Sequence, residues 1–339
     1  MVLLTVALAL VPVHPAHAAR GPKVGAKAGV LMDAATGEVL WSRAPHRAVL
    51  VASTTKMLTA LVAEAAYKPR QRLRVPVQAE NVDGTRFGFQ KNMLLTREQL
   101  LTTLLLVSAN DAAEVLATRY PDGGRRGFLA AMQAKCAELG CTDSTWRDPA
   151  GLDAPGHRAS AADLALVGQA LLKRPVLAKL AATRQLTFRW PGGRTQIITN
   201  HNKLVAYDRL PGMLGIKTGY TDKARHTLVA AQRRGGRTLI AVALGTDDIY
   251  GDVTAMLGYG FAIRTPPGAE RLGVVPPEPA TRTAPSGVAN AITGTTLDLG
   301  RDRGLPSLSI PAAGGAAAVA VLLGIVFLGL SRRRRRSLV

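Results

Sequence analysis

The chain has 339 residues, 47% of them hydrophobic and 4% aromatic, which is enough for one large domain with accessory segments and excludes global disorder. Basic residues number 43 and acidic residues 23, a net charge of +20, and removing the five arginines at 332–336 still leaves the body at +15. That balance would suggest nucleic acid in a cytoplasmic chain. Here no nucleic-acid module is recognisable and the ends read as an export signal and a membrane span, so the charge points to lipid headgroups and acidic wall polymers.

Val2 to Val13 is a short apolar run followed by Ala16-His17-Ala18, a pattern signal peptidases accept, so residues 1–18 are expected to be a signal peptide. The run is shorter than the about 20 residues a bilayer span requires. No Lys or Arg precedes it, which leaves an upstream start or an atypical signal as alternatives. A main domain over 19–265 follows. Ala28 to Asp33 and the stretch to Trp41 predict two strands joined by a turn at Thr36-Gly37. Ser53 to Ala66 predicts a helix, with Met57, Leu58, Leu61 and Val62 at helical spacing. Thr96 to Tyr120 predicts a buried helical stretch interrupted at Ser108-Ala109-Asn110. Arg126 to Leu139 and Ala159 to Leu172 predict two more helices.

After Pro191-Gly192-Gly193 the texture turns to strands at Thr195–Thr199, Met213–Thr218, Thr227–Ala231 and Thr238–Leu244, with a hairpin turn at 234–237. A helix around Val253–Ala262 closes the domain. Strands, then helices, then strands predict an α+β domain whose sheet draws strands from both ends of the segment. Residues 266–309 are rich in Pro, Gly, Thr and Arg and read as a flexible linker. Pro311 to Leu330 contains no charge and is followed at once by the arginine block, which predicts a transmembrane helix at 310–331 with residues 332–339 as a basic cytoplasmic tail. The catalytic body would then lie outside the membrane. Cys136 and Cys141 could form a disulfide there or be two buried thiols, and spacing does not decide.

Three motifs in order carry chemistry: Ser53-x-x-Lys56, Ser108-x-Asn110 and Lys217-Thr218-Gly219. Together they are a recognised signature of β-lactamases and penicillin-binding proteins. A serine hydroxyl is a weak nucleophile until a base takes its proton. Lys56, three residues on, shares the helix face of Ser53 and can reach its oxygen. An ordinary lysine is protonated at neutral pH, but burial and a second cation lower its pKa, and Lys217 is the candidate cation. Gly219 removes a side chain where a substrate backbone must approach. Read singly, Ser53 could be only a helix cap and Lys56 a solvated side chain; the three motifs together argue otherwise.

From Ala28 to about Ala262 the chain resembles the D-alanyl-D-alanine carboxypeptidases, the low-molecular-weight penicillin-binding proteins. The matching stretches are Leu31–Leu40, Leu105–Ala113, Glu138–Gly140, Pro149–Leu152, Asn200–Leu204 and Gly215–Thr221. The resemblance implies a β-lactamase/penicillin-binding-protein-like transpeptidase fold, an antiparallel sheet with a helical subdomain. It implies that Ser53 attacks the penultimate D-Ala carbonyl of a peptidoglycan pentapeptide, with Lys56 as base and Ser108 as proton relay. The N–H groups of Ser53 and Tyr220 would form the oxyanion hole. Asn110 would hold the substrate amide and Lys56, while Lys217 and Thr218 would bind the terminal carboxylate. β-Lactams would acylate Ser53, and no metal or cofactor is implied.

Three positions depart from the family pattern. Val51-Ala52 stands where Pro-Ala is usual, Ala109 where Gly is frequent, and Arg225 where a glycine follows Ala224. Arg225 either crowds the rim or contacts an acidic substrate. The alternatives are a catalytically silent wall-binding relative, a D,D-endopeptidase, or a β-lactamase. The last lacks the expected E-x-x-L-N loop between Asn110 and Lys217. His201 and His226 are expected to be structural.

Overall fold

The structure, a computed structural model, describes residues 21–208, 210–263 and 270–274. The expected signal peptide, transmembrane helix and basic tail lie outside them, as does most of the linker. Among the described residues no helix is long and apolar enough to cross a membrane.

Strands β1 (Ala28–Asp33) and β2 (Val39–Arg43) form the expected hairpin. The chain then enters a helical region: a 3-10 turn at Ala52–Thr55, α1 (Lys56–Ala66), α2 (Val77–Glu80), α3 (Arg97–Leu106), α4 (Asn110–Thr118), α5 (Gly124–Glu138), α6 (Ala161–Leu172) and α7 (Pro175–Ala182). Two short strands, β3 (Arg72–Arg74) and β4 (Leu94–Thr96), pair within it. A second hairpin, β5 (Gln185–Arg189) and β6 (Thr195–Thr199), and the short α8 (Lys203–Ala206) lead back to the main sheet through β7 (Met213–Thr221), β8 (Arg225–Arg234) and β9 (Arg237–Thr246). Helix α9 (Ile249–Ala262) ends the domain.

The main sheet has the order β2-β1-β9-β8-β7, with every pair antiparallel. It takes strands from both ends of the domain, as the α+β reading predicts. Side-chain alternation sorts its residues onto two buried faces. Val30, Met32, Val229, Ala231, Ile240 and Val242 join the core shared with the helical region. Leu31, Leu228, Ala230, Leu239, Ala241 and Ala243 join a smaller core under α9, with Val253, Met256 and Leu257. Both faces are covered, so these strands read as nearly continuous runs of Ala, Val, Leu and Ile. β7 is an edge strand, and the site lies along its edge.

The helix break at Ser108 is sharp. α3 starts with a Thr96/Gln99 capping box and stops at Leu106, and Ser108 adopts a left-handed φ of 61° before α4 opens at Asn110. Five residues inside the expected linker are ordered against the domain: Leu272 is buried, its N–H donates to Gly37 O, and the N–H of Val39 donates to Glu270 O. An apolar leucine within a Pro/Gly-rich stretch accounts for this return. Cys136 and Cys141 form a disulfide at the end of α5.

Candidate active site

Ser53 sits in the 3-10 turn that feeds α1, one residue after Ala52, whose φ of 49° is left-handed. Ala52 is held from two sides. Thr227 on β8 donates its hydroxyl to Val51 O at 2.9 Å. On the other side Gly151, at φ 86°, lies so close that a Cβ there would collide with Ala52 O. The nucleophile turn is thus wedged between the sheet and the Pro149–Leu152 turn.

Lys56 is wholly buried, with Nζ 2.7 Å from Ser53 Oγ and 2.7 Å from Ala150 O. Burial and then the Lys217 cation push its pKa well below the ordinary lysine value, against an opposing pull from Asp148 and Asp111. A neutral amine at this distance can accept the Ser53 proton while still donating to Ala150 O.

The carbonyl that aims Lys56 is itself fixed. Asp148 Oδ1 accepts from the N–H groups of Ala150, Gly151 and Leu152 at 2.9, 2.8 and 3.0 Å. Its other oxygen accepts from Arg125 Nη2 at 2.8 Å. His157 adds a second brace. Its Nδ1 accepts from the N–H groups of Arg147 and Asp148 at 3.1 and 3.3 Å, so its Nε2 carries the proton and donates to Thr55 Oγ1 at 2.9 Å. Burial pulls its pKa to about 4 and keeps it neutral. Sequence reasoning missed Asp148 and His157. The available signal was the Asp148-Pro149-Ala150-Gly151 string, an Asp positioned to bond its own turn.

Ser108 is buried at the helix break. Asn110 donates Nδ2 to Asp83 O at 2.6 Å, and its enclosed Oδ1 has no partner. The expected contact between Asn110 and Lys56 is therefore replaced by the Ala150 carbonyl, and the free oxygen is an acceptor for an incoming N–H. Asp111 gathers the N–H groups of Phe87, Gly88 and Phe89 and ties that loop to α4.

On β7, Lys217 is buried, and burial lowers its pKa to about 7. Its Nζ donates to Thr218 O at 2.8 Å. Thr218 is half-buried beside it. A Cβ on Gly219 would come within 2.8 Å of Ser53 N and 3.1 Å of Ala52 Cβ, so only glycine lets this strand lie against the nucleophile turn. That approach brings the Tyr220 end of β7 beside the Ser53 N–H. The Tyr220 side chain is exposed and donates to Asp222 at 3.0 Å.

Arg225 lies at φ 59°, a left-handed conformation that a glycine adopts freely. Its guanidinium turns to Asp247. The His226 ring lies 4.7 Å from the Tyr220 ring and is tilted against it.

A serine hydroxyl against a buried amine, beside an edge strand and a buried cation, defines an acyl-transferring serine hydrolase. The chain belongs to the D-alanyl-D-alanine carboxypeptidase family, whose profile matches residues 15–248. A D-alanyl-D-alanine carboxypeptidase of Mycobacterium tuberculosis is 35% identical over 74% of this chain and 87% of its own length. One from Bacillus subtilis is 29% identical over 70% of this chain, which spans 62% of that relative. The crystal structure of a D-alanyl-D-alanine carboxypeptidase from Mycobacterium tuberculosis superposes with a TM-score of 0.69 at 36% identity, covering 76% of this chain and 98% of that one. The family makes the protein a hydrolase acting on peptides.

Proposed function

We propose that this protein removes the terminal D-Ala from peptidoglycan stem peptides through an acyl-enzyme on Ser53. The observation that carries the reading is the 2.7 Å contact between Ser53 Oγ and the buried Lys56 amine. Lys56 takes the hydroxyl proton as Ser53 attacks the penultimate D-Ala carbonyl. The developing oxyanion lies between the N–H groups of Ser53 and Tyr220. Ser108 passes a proton to the departing D-Ala nitrogen, the carbon–nitrogen bond breaks, and water then releases the acyl group. Asn110 Oδ1 accepts a substrate N–H, while Lys217 and Thr218 receive the terminal carboxylate. Penicillin acylates Ser53 by the same route.

The experiment is mass spectrometry of the protein after incubation with penicillin and, separately, with a D-Ala-D-Ala pentapeptide. A Ser53 adduct that Ser53→Ala abolishes, together with D-Ala release, is the expected result. No adduct with either compound overturns the reading. The silent-relative alternative loses its motive because the Arg225 guanidinium engages Asp247.

The catalytic body is exported and held on the outer face of the cytoplasmic membrane by residues 310–331. The support is the apolar run with its one-sided arginine block and the disulfide, a bond that persists in oxidising compartments. Protease treatment of intact cells should digest the domain while leaving the tail with the membrane; a protected domain overturns the topology.

A further inference from the structure

The two N–H groups assigned to the oxyanion stand on different elements, so their spacing depends on how those elements are joined. The Ser53 N–H belongs to the nucleophile turn, which Thr227 and Gly151 grip from opposite sides. The Tyr220 N–H belongs to the far end of β7, an edge strand with β8 as its sheet neighbour. Residues 222–224 connect that end to β8, and Asp222 and Lys223 among them are exposed. Sheet pairing therefore secures one side of this end and leaves the other to side chains.

Side-chain alternation puts Lys217, Gly219 and Thr221 on one side of β7. That side faces the nucleophile turn, since a Cβ on Gly219 would come within 2.8 Å of Ser53 N. Thr221 reaches past the turn to the segment behind it. Its hydroxyl donates to Asp153 Oδ1 at 2.9 Å and accepts from the Ala224 N–H at 3.0 Å, so its proton is committed to Asp153. Asp153 is anchored in its turn. It follows the Ala150–Leu152 segment whose N–H groups Asp148 gathers. The Ala154 N–H donates to Leu152 O at 2.7 Å, closing a tight turn with Asp153 at its centre. Both side chains are half-buried, which strengthens the bond between them. Among the described residues, no other hydrogen bond joins β7 to the segment from Asp148 to Asp153.

We propose that Asp153 and Thr221 are positioning residues whose hydrogen bond clamps the end of β7 to the segment behind Ser53 and so sets the gap between the Ser53 and Tyr220 N–H groups. The connection is a closed ring: from the Ser53 turn to Gly151 packed on it, along the chain to Asp153, across to Thr221, and back one residue to Tyr220. The inference rests on the Ser53 acyl-enzyme reading and adds no step to it. Donors aimed at a developing oxyanion act through fixed distances. A donor that drifts stabilises the transition state less and leaves ground-state binding nearly as it was. The terminal carboxylate is assigned to Lys217 and Thr218, which the clamp does not include. Its loss should therefore appear in kcat and not in KM.

The test is hydrolysis of a D-Ala-D-Ala pentapeptide and the rate of Ser53 acylation by penicillin, measured on the full chain and its Asp153→Ala, Thr221→Val and doubly substituted forms. Each change removes one hydrogen bond between half-buried groups, so folding should survive, and melting temperature checks this for each form. Thr221→Val keeps the side-chain shape and decides alone should Asp153→Ala unfold. The expected result is a fall of about tenfold in kcat and in acylation rate for each single variant, with KM within about twofold of native. The double variant should fall no further than Thr221→Val, because both changes break the same bond. Asp153→Asn keeps an acceptor oxygen and should recover most of the lost rate. An unchanged kcat, a loss confined to KM, or losses that multiply in the double variant overturns the clamp and leaves the acyl-enzyme reading standing. Absence of turnover and of any Ser53 adduct in the native chain sinks both.

Discussion

The centre of the site and its rim are built by opposite rules. At the centre the side chains are buried and their backbone supports are tied down. Lys56 rests on a carbonyl fixed by Asp148, and Ser53 on a turn gripped by Thr227 and Gly151. At the rim, Arg86, Lys203, Ile197 and Tyr207 stand exposed around a cavity, Lys203 and Tyr207 at the two ends of α8. The contrast suggests that the centre holds one geometry for bond making, while the rim offers surface that a bound peptide can cover. Substitutions at the centre should therefore change rates far more than those at the rim.

Ser53→Ala should have the largest effect, lowering D-Ala release by about 10⁴-fold or more and abolishing the penicillin adduct. Lys56→Met comes next, with a loss of about 10²–10⁴-fold in acylation rate, and it tests the burial argument from a second direction. Burial holds the Lys56 pKa well below its value in the unfolded chain, so the native lysine destabilises the fold at low pH. The methionine variant should melt higher than the native chain. That gain should be greatest in acid and shrink as pH rises toward the unfolded lysine value of about 10.4. A lower melting temperature at every pH would break the distinction between groups kept for chemistry and groups kept for stability.

Asp148→Ala probes the support beneath the centre. It removes the acceptor for three N–H groups and one partner of Arg125, and should cost roughly 2–3 kcal/mol of stability. Acylation should slow by about tenfold because Ala150 O no longer holds Lys56 in place. Denaturant unfolding and acylation kinetics read the two effects separately; a stability loss with unchanged kinetics would make Asp148 merely structural.

The Lys56–Lys217 pair gives a smaller effect with a definite sign. Lys217 lowers the Lys56 pKa by its charge, so Lys217→Gln should move the acid limb of Ser53 acylation to higher pH. The reagent should be an activated ester without a carboxylate, which keeps substrate binding out of the comparison. With carboxylate substrates the native kcat/KM should also fall above about pH 7, where Lys217 loses its proton. An unmoved acid limb would mean that burial alone prepares the base.

The same contrast explains what the sequence makes legible. Ser53 and Lys56 stand three apart across the 3-10 turn and the start of α1, so their meeting follows from local helical geometry. Lys217-Thr218-Gly219 sits in an alternating run whose strand character is plain. The strand–helix–strand order predicts a sheet with strands from both ends of the domain, while the pairing of β1 with β9 emerges only in the fold. Local pattern cannot give the supports, because Ala52 meets Gly151 and Lys56 meets Ala150 only through tertiary folding. The left-handed φ of Ser108 is likewise imposed on a residue with no intrinsic preference for it. The sequence analysis passes over β5 although Leu186 and Phe188 alternate with polar residues, a run of five being a short signal beside a helix, and its pairing with β6 supplies part of the rim. Arg86 belongs to no motif and Lys203 stands in the Asn200–Leu204 stretch; only the fold brings both to the wall of one cavity.

Arg225 lies between the two regimes and should give the smallest effect. It follows the third motif closely, yet its guanidinium faces Asp247 at the surface. Arg225→Gly relieves a left-handed backbone that an arginine adopts at a cost, and it removes an exposed ion pair of small value. Added chain entropy in the unfolded glycine variant opposes the first gain. These effects offset, and the melting temperature should stay within ~3 °C of native. D-Ala release should stay within about twofold, because no contact of Arg225 reaches Ser53, Lys56 or Lys217. Steady-state kinetics on the pentapeptide decide the matter. If activity emerged only in the glycine variant, the rim would control the centre, and the native chain would be a silent member of its family.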